Sequence, residues 1–435
     1  MKKLGNFQLI VLIVFVALAV FGVLVFAGIV KIGGKDEAVV TGSVVLWGTA
    51  KADMMNNLIN NFTSQNKTLT VKYVQKNRAS FDQDLLEALA TNTGPDLFIL
   101  PDDMIVHFRN KIMPIPYASF PQATFQNTFA GAGEIYLSEK GTLALPLSID
   151  PMIMYYNRSH LDAEGIVTPP VYWNDLESLV PVFTKKDQDR KITKSAFALG
   201  QFSNILHAKD IISMIFMQLG NPIVREKNGT LLSVLNNDGE NTLGGNLSSV
   251  LRFYTSFADP ANSLYSWNRS LQNSRDAFSS EKLTFYFGFA SELADLTARN
   301  PNENFYIAPV PQIKNSNFKL TFGHTQAVAI SASTKNPTVA FTVAGLLATG
   351  DFSKQFANNL LLAPARRDLL NTKPTDAYFP VFYNSALFAR SWLDPAPAET
   401  DAVFQRMVEN VLSNNLSIEN SISDASSKLN LLLSK

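Results

Sequence analysis

The chain has 435 residues, 46% of them hydrophobic, more than one hydrophobic core supports, so at least two domains are expected. Its 37 basic and 37 acidic side chains cancel and are scattered, leaving no basic stripe to neutralise phosphates, which argues against nucleic acid as a partner. With no cysteine, disulfides, thiolate metal ligation and thiol catalysis are excluded.

The first element is "LIVLIVFVALAVFGVLVFAGIV", Leu9 to Val30, which contains no polar side chain and follows Lys2 and Lys3. As a helix it spans roughly 33 Å, enough for a hydrocarbon core of about 30 Å. It is too long for the apolar region of a cleaved signal peptide, and no cysteine follows to carry a lipid. The expectation for residues 1–35 is an uncleaved signal anchor, transmembrane over about 9–30. The N-terminus would lie inside and the globular body outside the cell membrane.

Beyond a Gly-containing linker, "SVVLWG" reads as a buried strand. "KADMMNNLINNFTSQN" reads as a helix with Met55, Leu58, Ile59 and Phe62 on one face, and "LTVKYVQ" returns to a period of two. Ser80 and Gln83 are spaced as a capping box for "FDQDLLEALATN", and "GPDLFIL" closes a βαβαβ pattern. That pattern implies an α/β domain with a parallel sheet, whose ligands gather beyond the carboxyl ends of the strands. Later, "SAFALG" and "KLTFYFGF" read as strands, "AKDIISMIFMQLG" as a helix and "YIAPVPQ" as a short strand ended by prolines. "FGHTQAVAISAS" leads to Asn336 and Pro337, a cap and first-turn proline for the next helix. Two C-terminal stripes, Val403, Phe404, Met407, Val408, Val411 and Ile418, Ile422, Ala425, Leu429, predict a closing pair of helices.

Catalytic vocabulary is missing: there is no H-E-x-x-H, G-x-S-x-G, P-loop or dinucleotide-binding glycine pattern. The four histidines are far apart and lack metal-ligand spacing, and no cofactor is indicated. Instead, aromatic and carboxyl side chains stand at the ends of predicted strands, a vocabulary suited to sugars, which offer apolar faces and hydroxyl rims. Trp47 ends the first strand, Asp102 and Asp103 follow "GPDLFILP", and Phe289 follows "TFYFG". A place in the core is the competing reading for each aromatic.

Taken in order, "GSVVLWG", "GPDLFILPDD", "LALPLSIDPMIMYYNRSHLDAEGIVTPPVYWNDLESL", "KITKSAFALG", "LTFYFGFASE", "FYIAPVPQ" and "LLAPARRDLL" resemble the extracellular solute-binding proteins of ABC importers. The nearest branch is family 1, the maltose-binding-like, sugar-binding group. The resemblance runs from about Gly42 to the end and implies two α/β lobes joined by hinge strands. The expected division is 42–150 with about 309–354 for lobe 1, and 151–308 with about 355–435 for lobe 2. "LPLSIDPMIMYYNRSHL" then resembles the first crossing strand, with Asp150 offered to ligand hydroxyls and Pro151 limiting the backbone; the alternative is that Asp150 caps a turn and Pro151 ends the strand.

Carried over residue by residue, the resemblance implies ligand-binding roles for Trp47, Asp103, Asp150, Tyr155, Asn204 and Phe289. Phe289 departs from the family, where a Trp often stacks on sugar; Trp392 is an alternative ring, and Arg366 matches a common family motif, for which the alternative to ligand contact is that it only pins the lobe interface. The implied function is capture of a small solute, expected to be a mono- or oligosaccharide, and delivery to an ABC transporter permease, with no bond made or broken. Two other readings are an extracytoplasmic sensor passing its ligand state to a signalling partner, and an anchored hydrolase using Asp103 and Asp150 as paired carboxylates.

Overall fold

The computed structural model describes residues 40–236, 247–372 and 374–434. The expected transmembrane segment, 9–30, lies outside the described residues. Among those described, no helix is long and apolar enough to cross a membrane.

Among the described residues, eight strands of five residues or more carry the fold: β1 (Gly42–Gly48), β2 (Leu69–Gln75), β3 (Leu97–Pro101), β4 (Ala144–Asn157), β5 (Ile192–Phe197), β6 (Leu283–Phe289), β7 (Phe305–Pro309) and β8 (Thr321–Ile330). They belong to two compact units. The described chain up to Ile149 joins His324–Thr372 in the first, and Asp150–Gly323 joins the residues after Lys373 in the second. The chain therefore changes unit inside β4 and returns inside β8. The sequence placed the return near 309, because Pro309 and Pro311 look like the end of an element. The residues that cross lie later, in an apolar strand that starts beyond the polar "KNSNFK".

In the first unit β1 runs parallel to both β2 and β3, and β8 is antiparallel to β3 from Gln326 opposite Pro101 to Ile330 opposite Leu97. Helix Ala52–Gln65 crosses from β1 to β2 because Met55, Leu58, Ile59 and Phe62, at helical spacing, are all buried. Phe62 meets the edge of Phe352 from helix Gly350–Asn359, with ring centroids 6.5 Å apart. Helix Phe81–Ala90 follows Ser80, but the expected capping box is absent. Ser80 Oγ lies 3.4 Å from Asp84 Oδ2 and Gln83 donates to Glu87 instead, so the carboxylate one turn on outcompetes the backbone.

In the second unit the order is β7, β4, β6, β5, with β4 antiparallel to both β6 and β7 and β6 parallel to β5. β5 ends at Phe197, short of the expected "SAFALG", because Gly200 turns the chain at φ 93°. The core here is aromatic: Phe197 stacks on Phe285 at 4.6 Å, with Phe287 and Trp173 continuing the layer. Helix Ala208–Gln218 is buried along its whole length and carries Lys209 inside. The Lys209 ammonium donates to Asp394 Oδ2 (2.8 Å), Pro397 O (3.1 Å) and Thr400 Oγ1 (3.1 Å), which uses all three of its donors. The C-terminal helices, Pro397–Leu412 and Ile418–Leu433, bury Val403, Phe404, Met407, Val408 and Ile422, Ala425, Leu429.

Candidate functional site

In the first unit the functional vocabulary gathers at the carboxyl ends of β1, β2 and β3. Parallel strands bring this about: Trp47 pairs with Val74 and Phe98, so residues just past Gln75 and Pro101 emerge beside Trp47. The Trp47 ring is half-buried, and Lys76 places its ammonium 3.7 Å from the ring centroid, a cation–π contact, with Asp84 3.8 Å from the same ammonium. Asp103 Oδ2 accepts from Arg78 Nη2 at 2.5 Å, whereas Asp103 Oδ1 is buried with no hydrogen-bond partner. Burial, and after it the neighbouring Asp102 carboxylate, raise the Asp103 pKa above the usual carboxylate value against the opposing pull of Arg78 and His324.

Asp102 is buried and serves the scaffold. Both of its oxygens face His324 Nδ1, at 3.2 and 3.0 Å, and Oδ1 also accepts from the Thr325 N–H at 3.2 Å. This carboxylate thus ties β8 to the end of β3, just where β8 enters the unit.

In the second unit Asp150 opens the crossing. Ile149 pairs with Ala363 in the first unit and Met152 pairs with Phe289 in the second, so Asp150 and Pro151 fall where β4 exchanges one set of partners for another. Asp150 is half-buried, and Oδ1 accepts from the Ser291 N–H at 3.0 Å. The turn carrying Ser291 is fixed from within. Glu292 Oε1 accepts from the Phe289 N–H (2.8 Å) and lies 2.8 Å from His207 Nε2, while Oε2 accepts from Tyr286 Oη (2.6 Å). Burial works to raise the Glu292 pKa, but His207, Tyr286 and the Phe289 N–H outweigh it and hold it below its ordinary value. His207 has a left-handed backbone (φ 63°), uncommon for a non-glycine residue, and its ring edge packs on Phe289 at 4.7 Å.

Five other sequence candidates are placed elsewhere. Tyr155 is fully buried among Phe278, Tyr286 and Phe305 and donates to the Phe289 carbonyl at 2.7 Å, so it is a core residue of the second unit. Asn204 spends its amide on its own loops, donating to Asn268 O and Leu271 O and accepting from Trp267 Nε1. Phe289 is buried beneath His207, and Trp392 is buried against Phe404. Arg366 forms a two-pronged pair with Asp368 at 3.0 and 2.9 Å at the start of helix Arg367–Leu370, all within the first unit. Lys76, Arg78, His207, Ser291 and His324 were missed. Arg78 and Lys76 had a signal in their position just after β2; His324 and His207 had none, since their partners lie 222 and 85 residues away.

Residues 48–349 match the family model described as bacterial extracellular solute-binding protein. The chain belongs to that family. Solved structures show the same solute-binding fold. A cyclo/maltodextrin-binding protein complexed with maltotetraose is 16% identical, with a TM-score of 0.71 over 91% of this chain and 98% of that one. A cyclic α-maltosyl-1,6-maltose binding protein from Arthrobacter globiformis is 13% identical, with a TM-score of 0.74 over 91% and 99%. The sugar-binding protein MalE from Xanthomonas citri is 16% identical, with a TM-score of 0.71 over 90% and 98%. No curated protein matches the chain in sequence. Solute-binding proteins of this family are receptors and not enzymes, so the paired-carboxylate hydrolase reading is not carried further.

Proposed function

We propose that this solute-binding protein is held at the cell membrane by the apolar segment Leu9–Val30, captures a carbohydrate outside the cytoplasm and delivers it to the permease of an ABC importer. The observation that carries the reading within this family is Asp103 Oδ1, a buried carboxylate oxygen without a donor just past β3, the strand that pairs with β1 at Trp47. A sugar hydroxyl reaching Asp103 as its half-buried side chain turns outward would supply the missing donor, and an apolar sugar face suits the part of the indole that Lys76 leaves uncovered. Within the second unit, Asp150, held by Ser291, is a carboxylate able to accept from a hydroxyl. The structurally similar proteins named for maltodextrin-type ligands support a saccharide as the solute class.

The test is a thermal-shift and calorimetric screen of the full chain in detergent against mono- and oligosaccharides, maltotetraose among them. A ligand at a hundred times its Kd adds about 2.7 kcal/mol of stability. Asp103→Asn removes a charged acceptor and is expected to weaken binding by roughly 10–100-fold, given about 1.5–3 kcal/mol for such a bond. A chain that no saccharide stabilises would refute the carbohydrate assignment.

A further inference from the structure

Among the described residues eight large apolar side chains are exposed, and five of them belong to one stitched region of the second unit. Val167 (74% exposed), Val171 (58%) and Tyr172 (38%) follow helix Arg158–Ala163, Tyr306 (53%) is on β7, and Phe318 (47%) is on the loop joining β7 to β8. The segments are bound to each other. The Gln312 N–H donates to Val171 O (2.9 Å), the Trp173 N–H donates to Gln312 O (3.1 Å), and Gln312 Oε1 accepts from the Leu320 N–H (2.9 Å). Tyr306 stacks on Tyr156 at 6.2 Å, and Arg158, two residues on, holds the Val167 carbonyl at 3.0 Å.

Singly exposed apolar residues need no explanation, but a gathered set marks a surface that meets something. The charges nearby narrow the choice. Phe318 lies between the exposed Lys314 and Lys319, neither of which has a carboxylate partner among the described residues. Of the acids in the same segment, Asp162 pairs with Arg158, Glu164 pairs with Lys185, and Asp175 accepts from the Val171 and Tyr172 N–H groups, while Glu177 is exposed on the helix that follows. Protein–protein interface cores are depleted in lysine. Aromatic and aliphatic side chains bordered by unpaired lysines are instead the chemistry of an anionic bilayer surface.

We propose that this face docks on anionic phospholipid, with Val167, Val171, Tyr172 and Phe318 entering the interfacial layer while Lys314 and Lys319 meet the headgroup phosphates. The proposal rests on the anchored reading above, in which the body works beside a bilayer. Contact with lipid would be reversible, because two lysines and a few apolar side chains give far less than a spanning helix.

The chain has no cysteine, so Asn317→Cys offers a single site for an environment-sensitive fluorophore next to Phe318. The full chain is placed in bilayer discs containing brominated phosphatidylglycerol, with Asn415→Cys, on a distant turn of the sequence, labelled as control. The expected result is quenching at 317, not at 415, that weakens at high salt. Each lysine near such a surface contributes roughly fivefold to the bound population, so Lys314→Glu with Lys319→Glu is expected to lower it at least about 25-fold. A chain retained on the discs but unquenched at 317 overturns the lipid surface. So does protection at 317 that arises only with co-reconstituted permease and without quenching, which would make the face a protein contact. A chain that washes off the discs at high salt overturns the anchor, and the lipid surface with it.

Discussion

Glu303 carries a penalty that a single substitution should lift. Its side chain is buried in the turn that joins helix Leu293–Arg299 to β7, Oε1 has only a long contact with Asn157 Nδ2 (3.5 Å), and Oε2 has no partner. Burial, with Glu281 adding to it and Asn157 opposing, pushes its pKa from 4.5 up to about 7. Below the unfolded value of about 4.5 the carboxyl is neutral in both states and its contribution to stability is intact. As the pH rises through 7 the buried group ionises and that contribution is lost. A shift of about 2.5 units corresponds to roughly 3 kcal/mol at about 1.4 kcal/mol per unit. Glu303→Gln keeps the shape and the Asn157 contact but cannot ionise. Urea denaturation between pH 5 and 8 should therefore show the two proteins close at pH 5, and the variant ahead by about 2–3 kcal/mol at pH 8. Parallel stability curves across that range, or a variant weaker at pH 8, would refute the reasoning.

Other expectations follow from single sites. His160, hydrogen-bonded to Thr284 and depressed to about 4 by burial and by Lys194, contributes stability that is present above pH 6.5 and lost as the pH falls through 4; His160→Gln should flatten that acid limb in the same denaturation series. Lys209→Met leaves Asp394 buried without its cation and is expected to cost about 3–5 kcal/mol, with Lys209→Met/Asp394→Leu recovering part of the loss by calorimetry. Gly200→Ala meets the Ala258 backbone nitrogen at 2.6 Å in a left-handed conformation and should lower stability by at least about 1–3 kcal/mol; an unchanged Tm would show that the turn relaxes.

The legible parts of this fold were local. The βαβαβ pattern of residues 42–101 could be read because each strand and helix declares its period within a few residues, and Met55 to Phe62 bury as their spacing requires. Aromatics at strand ends were less informative: Phe289, Tyr155 and Trp392 have the composition of a sugar platform, yet each fills a core, and spacing cannot tell the two apart. Trp47, Asp103 and Asp150 remain candidates because they keep partial exposure at strand termini. The polar frame behind them, Asp102 with His324 and Glu292 with His207, joins residues too distant for any sequence period to reveal.

The return of the chain through β8 has a kinetic corollary. β3 completes the apolar centre of the first unit's sheet, but its antiparallel neighbour is synthesised only after the whole intervening body: Asp102 precedes His324 by 222 residues. At about 5–20 residues per second, that leaves the β3 edge unpaired for roughly 10–45 s on a ribosome. An exposed edge of Phe98, Ile99 and Leu100 invites pairing with other chains. The first-made segment of the first unit, up to Ile149, thus lacks its partner strand until the chain reaches His324, and holdase occupancy during biogenesis is expected to centre on β3.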